Sequence, residues 1–421
     1  MTSPTIAEAI HRAASSLLGT TLPLRIRAWD GSVFGSGSER LSLNSPDAVR
    51  HVVWRPGELG LARAYVSGAI DVEGDLTDAL RAVRRTSEVR PPLWRTLPHA
   101  SGEIIESVRA LARAGALRRP PSPPPEEARL SGPLHSLRRD ADAIRHHYDL
   151  GNDFYETILD DTMAYSCGLW LHEPDDPPTI ADSAQASYEK LDRICRKLDL
   201  RPGTRLLDVG CGWGSLLIHA ATRYGVHASG VTLSTEQAAY VRELVQRNRL
   251  DHLIDVEVRD YRDVDVRRVD AVASIEMGEH VGRRQYPTYL STMFGALRPG
   301  GRLLLQQMSR TGNPGGGAFI ESYIAPDMHM RPLDETCAML RRTGFEIRDI
   351  AGLRTHYQLT ARAWAHNLED NWQTVVRVAG ERTARIWRLY LAGGALAFEE
   401  NRMGVDQILA VRPPVNGASN A

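Results

Sequence analysis

The sequence is poor in lysine, in cysteine and in long apolar runs. Of its 51 basic residues only Lys190 and Lys197 are lysine; the rest are arginine. Genomic base composition accounts for most biases of this kind, and the planar guanidinium fork also suits phosphate contacts. The four cysteines (Cys167, Cys195, Cys211, Cys337) show no paired spacing, which argues against a disulfide scaffold and a Cys-based zinc site. No apolar run reaches the ~18 residues needed to cross a bilayer as a helix. The opening MTSPTIAEAIHR lacks a basic stretch followed by an apolar core, so no secretory leader is expected and the chain reads as cytoplasmic. Net charge is nearly absent, 51 basic residues against 52 acidic ones. With no basic-aromatic surface signal, a nucleic-acid enzyme is disfavoured.

What is present is an ordinary globular composition, 42% hydrophobic and 24% charged over 421 residues. That length supports two or three units at ~100–200 residues each. Charge is uneven: residues 81–145 hold 13 Arg against 7 acidic residues, a basic band suited to an anionic surface. Residues 5–18 carry a Thr5/Glu8 capping pattern and helical apolar spacing. Residues 101–117 form a second amphipathic stretch, with Ile104, Ile105, Val108, Leu111 and Ala112 on one face and Arg109 and Arg113 off it. Five prolines within residues 120–125 cannot continue a helix, so 118–128 reads as a stiff linker. It separates an N-terminal α+β domain, 1–117, from a catalytic domain, 129–421. Beyond it strands and helices alternate: strands at 204–209, 226–231, 254–259, 270–275 and 301–307, helices at 215–224, 235–248 and 286–297. This is the pattern of an α/β fold with a mostly parallel, doubly wound, Rossmann-like sheet. Residues 334–342 and 361–402 read as helical, 345–351 and 407–412 as closing strands.

The strongest local motif is Leu206-Leu207-Asp208-Val209-Gly210-Cys211-Gly212-Trp213-Gly214. An apolar strand ending in an acid runs into a glycine-rich turn and then a helix N-terminus. A dinucleotide fingerprint needs G-x-G-x-x-G; here position 215 is Ser. The spacing and the acid resemble motif I of S-adenosylmethionine (SAM) methyltransferases. The second strand ends without an acid, at Thr232-Leu233-Ser234, with Gln237 close behind; Thr and Gln can still bond ribose hydroxyls. The third is followed by Asp260-Tyr261, where adenine contacts are common in this class.

Further ordered motifs extend the resemblance: HYDLGNDFY at 147–155, YSCGLW at 165–170, GVTLSTEQ at 230–237, EHVG at 279–282, FIESYI at 319–324 and His356-Tyr357. Together the chain resembles the cyclopropane-fatty-acyl-phospholipid synthases and related mycolic-acid methyltransferases, and its front part resembles the extra domain of the phospholipid-acting members. The resemblance implies SAM contacts from Tyr148, Tyr165, Ser166, Asp208, Gly210, Gly212, Thr232, Gln237, Asp260 and Tyr261. It implies a bicarbonate ion acting as base, held by Cys167, Glu279 and Tyr357 with the backbone at Met308. No metal is implied.

The implied chemistry is methyl transfer to the cis double bond of an unsaturated acyl chain through a carbocation. That demands a water-free pocket, aromatic faces and a base within reach. Trp170, Tyr323, Trp364 and Tyr357 are candidates for the aromatic wall, and an intrinsic carboxylate could replace the anion. One position departs from the family: Gln306 stands where its members carry His, and Gln does not titrate near neutrality. Proton loss from the added methyl closes a cyclopropane; loss from the neighbouring chain carbon is read as leaving a methylene branch, and Gln306 tilts the expectation to a 10-methylene product. A homodimer, a phospholipid surface on the inner face of the membrane and, for a methylene product, a flavin-dependent reductase are the expected partners. The rival functions are a methyltransferase for a soluble or carrier-bound small molecule and a non-catalytic SAM-binding scaffold.

Overall fold

The computed structural model describes residues 3–87, 102–148, 150–174, 176–264 and 268–414. The first unit begins with α1 (Ile6–Leu18), capped by Thr5, whose hydroxyl accepts the Glu8 N–H. There follow β1 (Arg25–Arg27), β2 (Val33–Phe34), β3 (Arg40–Leu43), α2 (Asp47–Trp54), α3 (Glu58–Val66), β4 (Ile70–Glu73), α4 (Leu76–Ser87) and α5 (Gly102–Arg113). The four strands make one small sheet, ordered β2-β1-β3-β4. Its core gathers Leu22, Leu24, Ile26, Ala28, Leu43 and Ile70 under α1. Residues 22–28 alternate buried and exposed around β1, as a half-buried extended segment does.

The second unit holds α6 (Leu137–Tyr148), α7 (Asn152–Ile158), α8 (Ile180–Lys197), β5 (Arg205–Val209), α9 (Ser215–Tyr224), β6 (His227–Thr232), α10 (Thr235–Arg247), β7 (Ile254–Val258), β8 (Val269–Ile275), α11 (Gly282–Ala296) and β9 (Leu297–Ser309). The chain then runs through α12 (Ala318–Tyr323), α13 (Leu333–Thr343), β10 (Glu346–Gly352), α14 (Arg354–Asp370), α15 (Trp372–Ala379), α16 (Glu381–Glu399) and β11 (Gly404–Val411). Where one helical run over 361–402 is expected, three helices form, with Asn371 and Gly380 at the breaks.

Seven strands make the main sheet, ordered β10-β11-β9-β8-β5-β6-β7. β9, β8, β5, β6 and β7 are parallel, and β11 is antiparallel to both β9 and β10. The central strands carry apolar runs, Leu206-Leu207 on β5, Ala271-Val272-Ala273 on β8 and Leu303-Leu304-Leu305 on β9, because both of their faces are covered. On β9, Leu304 enters one core while Leu303 and Leu305 enter the other; Leu206 and Leu207 split the same way on β5.

The compact units depart from the expected boundaries. Residues 118–127 belong to the first unit, as do 317–323 and most of α16, 380–396. Side chains explain this. Trp54 Nε1 donates to the Arg118 carbonyl (2.8 Å), and the Arg63 guanidinium grips the Glu127 carboxylate with bonds of 2.9 and 2.6 Å. The Tyr323 hydroxyl donates to Glu127 (3.2 Å), and the buried Arg385 donates to the carbonyls of Tyr65 and Ile70 (both 2.7 Å). The break between the units falls at 127/128, the far end of the expected linker, and these polar contacts hold the proline segment on the first unit.

Candidate active site

The cleft of the second unit opens at the carboxyl ends of β5 and β6, beside the centre of the sheet, where ligands bind in open α/β folds. Counted out to open solvent, its space is about 1260 Å³. Gly210 (φ +83°), Gly212 (φ +53°) and Gly214 (φ +82°) turn the chain from β5 into α9. A Cβ on Gly210 would lie 2.8 Å from Met277 Cγ; one on Gly212 would project into open space. The turn therefore needs glycine for its backbone, and at Gly212 it leaves room for a ligand to approach the main chain.

Asp208 lies one residue before the end of β5, buried, and its Oδ1 has no hydrogen-bond partner. Burial pushes its carboxyl up to about 7, opposed by the charge of Lys190. A buried, unpartnered carboxylate oxygen at the cleft is costly unless a ligand supplies a donor or positive charge. On the next strand Thr232 Oγ1 donates to Gln237 Oε1 (2.8 Å), and Gln237 is held at the start of α10 by its N–H bond to the Ser234 cap. Asp260 lines the cleft with its carboxylate already engaged: Arg262 grips both oxygens at 2.7 Å and reaches Asp140 on α6 at 2.9 Å. Arg139 holds Asp327 with bonds of 2.5 and 2.9 Å, so two arginine clamps fasten α6 along the cleft. Tyr148, with His146 and His147, lies outside the residues whose side chains are described.

Tyr165 and Ser166 line the other end. The Tyr165 ring lies 5.2 Å from Trp364 and 5.8 Å from Tyr155, whose ring meets Trp213 at 4.5 Å. Ser166 accepts a bond from Lys190 Nζ (2.8 Å). Lys190 escaped the sequence reading. It is buried on α8, and that helix is fixed by a Thr179/Asp182 capping box and an apolar face containing Leu191 and Ile194. Burial draws the Lys190 ammonium down, while Glu276 and then Asp160 hold it up.

The residues expected around a small anion meet at a second unanticipated residue, Glu276. Its Oε1 accepts the Cys167 N–H (2.8 Å) and Gln306 Nε2 (2.9 Å); its Oε2 accepts the Tyr357 hydroxyl (2.7 Å). Glu276 lines the cleft and takes a left-handed backbone, φ +52°, which costs a non-glycine residue roughly 1–2 kcal/mol. Its own N–H anchors it to the Gln306 carbonyl (2.6 Å). Burial raises its carboxyl, and the three donors oppose that rise. Cys167 contributes its main chain: its thiol faces the carbonyls of Gly168 (3.2 Å) and Leu353 (3.7 Å), and burial keeps it protonated. The only hint of Glu276 in sequence is an acid one residue past an apolar strand.

Glu279 is separate from that trio. It is buried, accepts the Met308 N–H through Oε1, and leaves Oε2 without a partner. Burial and then the charge of Glu276 push it up to about 8. Arg331, also buried, lies over the Tyr286 ring (3.7 Å) and donates to the Gly278 carbonyl (3.2 Å). His280 lines the cleft, its imidazole drawn down by burial to about 4 and so neutral. Of the expected aromatic wall, Trp364 and Tyr357 stand together, ring centres 6.1 Å apart, with Tyr357 stacked on Phe398 (4.5 Å). Trp170 is elsewhere: it packs on Ala186 and Ala363, and its indole N–H bonds Thr360 (3.0 Å). Tyr323 belongs to the first unit. Among the described residues no cluster of His, Cys, Asp and Glu could hold a metal ion, and no helix is long and apolar enough to cross a membrane.

The family model described as mycolic acid cyclopropane synthetase matches residues 135–408. Among curated relatives, a probable fatty acid methyltransferase of Mycobacterium tuberculosis is 37% identical over 94% of this chain and 92% of its own length. The tuberculostearic acid methyltransferase of the same organism is 32% identical over 97% of this chain and 93% of its own length. The cyclopropane-fatty-acyl-phospholipid synthase of Escherichia coli is 31% identical over 92% and 91%. Among solved structures, the mycolic acid cyclopropane synthase CmaA1 complexed with SAH and CTAB superposes with a TM-score of 0.60 at 28% identity, covering 64% of this chain and 98% of its own.

Proposed function

The chain belongs to the mycolic acid cyclopropane synthetase family, and from that premise we propose that it methylates the cis double bond of an unsaturated fatty acyl chain carried on a phospholipid. It is a SAM-dependent methyltransferase of the cyclopropane synthase type. The observation that carries the reading is that one cleft joins an unpartnered carboxylate, Asp208, to a donor-wrapped one, Glu276. The first suits a cationic ligand and the second suits proton removal.

SAM supplies an electrophilic methyl group when bound. Asp208, Gly210 and Gly212 would hold its amino-acid end, with Tyr165 and Ser166 close by. Thr232 and Gln237 would take the ribose, and the wall of Asp260 and Tyr261 the adenine. Trp364, packed on the cleft-lining Tyr165, and Tyr357, bonded to the cleft-lining Glu276, would keep water from a carbocation and offer it π-faces.

Atom balance revises the route to a methylene branch. A hydride first moves from the methylated carbon to the cationic carbon beside it, and the added methyl then gives up a proton. Cyclopropane closure releases a proton from the same methyl without that shift. Both products add one CH₂ to the chain. Gln306 in place of His favours the methylene product. Such a product needs a reductant to become a methyl branch, hence a flavin-dependent reductase. The test is to incubate the protein with SAM and dioleoyl phospholipid vesicles and identify the product by proton NMR, because the two products share a mass. Terminal methylene protons are expected; cyclopropane protons alone would overturn the product assignment, and no methylated chain would overturn the function.

The first unit is read as the lipid-facing part, at the inner face of the membrane; a dimer contact is its other expected use. On α5, Ala110 and Leu111 are buried, while Ile105 (44% exposed) and Val108 (45%) face outward beside exposed Arg109 and Arg113. That reverses part of the expected apolar face and leaves an apolar pair among cations, which suits an anionic interface.

A further inference from the structure

We propose that Glu276 is the resident general base of this enzyme and that it occupies the place of the bicarbonate ion that the family resemblance implies. The inference rests on the methylation reading above.

Two of the groups expected to hold an anion, the Cys167 N–H and the Tyr357 hydroxyl, already hold this carboxylate, while the Met308 N–H goes to Glu279. The Cys167 N–H has one hydrogen and the Tyr357 hydroxyl has one, and both go to Glu276. The Gln306 amide is fully assigned: its Nε2 serves Glu276 (2.9 Å) and the Cys167 carbonyl (3.5 Å), while its Oε1 accepts from the buried Gln407 (3.1 Å). Gln407 thereby orients the amide so that its N–H₂ end faces the carboxylate. The departure from histidine suits a carboxylate partner: a neutral amide locked by a second glutamine presents N–H to an anion at any pH, and here the anion is the Glu276 side chain.

Glu279 makes the contrast. It has one main-chain donor and an unpartnered oxygen, and it is absent from the residues lining the cleft. Glu276 lines that cleft with Asp208, Lys190 and Ser166. Its backbone, in the left-handed region, places the side chain across from Cys167 and Tyr357.

The step balances without a further reactant. A C–H bond of the added methyl breaks, and its electron pair forms the new C–C bond of the ring or the new C=C bond of the branch. The proton bonds to a Glu276 oxygen. It leaves to water when the product departs, restoring the carboxylate.

Three measurements decide the matter. In carbonate-free buffer the wild-type protein should turn over as fast as in buffer with added bicarbonate. In ¹³C NMR, labelled bicarbonate should show no bound signal with wild type and a bound signal with Glu276→Gly, which vacates the donors. Glu276→Gln should lose about 10³-fold in turnover with SAM affinity within about threefold, and bicarbonate or formate should restore part of the activity of Glu276→Gly. Wild-type turnover that collapses without bicarbonate, or wild-type binding of the labelled ion, would overturn the proposal. So would Glu276→Gln turnover within tenfold of wild type. The NMR measurement requires no turnover, so it decides the anion question even if the protein methylates no acyl chain.

Discussion

Two buried glutamates three residues apart, Glu276 and Glu279, meet opposite treatment. Around Glu276, a main-chain N–H, an amide and a phenol converge from three distant parts of the chain. Around Glu279 there is one N–H and a bare oxygen. Burial raises both carboxyls; three donors oppose the rise at Glu276, whereas Glu279, with one N–H on its side chain and the neighbouring Glu276 charge, climbs to about 8. Burial alone therefore does not identify a base. The number of donors aimed at it does, together with access to the cleft.

The sharpest way to break the contrast is to remove the charge on one side only, and the loss of about 10³-fold in turnover expected for Glu276→Gln is the largest effect. Next comes the other cleft carboxylate. Asp208→Asn should weaken SAM binding about 10- to 100-fold, the range for losing a charge-assisted bond. Because Asp208 sits near 7, wild-type SAM affinity should rise with pH through that value, and Asp208→Asn should be flat by calorimetry. Glu279→Gln should reduce turnover about tenfold at most, the amide mimicking a protonated acid. Its clearer mark is on stability. A carboxyl whose folded pKa is raised stabilises below its unfolded value of 4.5 and loses that contribution as pH climbs through about 8. Wild-type stability should thus decline over that window more steeply than that of Glu279→Gln in urea titrations. The smallest effect lies in the first unit, where charge is exposed. Arg109→Glu should weaken sedimentation with anionic vesicles about fivefold and leave neutral vesicles unaffected. Equal binding to both vesicle types would remove the electrostatic role.

Much of the fold was legible in sequence because the signals are local. The strand through Asp208, the glycines after it and the Ser234 cap all appear where the pattern of residues puts them. Thr232 and Gln237, singled out separately in sequence, bond each other in the fold. Lys190 was not legible: a lysine on an amphipathic helix is normally solvated, and only the packing of α8 against the cleft buries it. Nor was the membership of 317–323 and 380–396 in the first unit, because Tyr323 and Arg385 are joined to it by bonds that span up to 320 residues.

By itself the sequence determined the alternation of strand and helix, the motif I turn and the family, since each depends on residues adjacent in the chain or at helical and strand periods. Tertiary structure alone decided which carboxylate is wrapped by donors. Cys167, Gln306 and Tyr357 lie 109, 30 and 81 residues from Glu276, and a hydrogen bond depends on positions in space that no local spacing encodes.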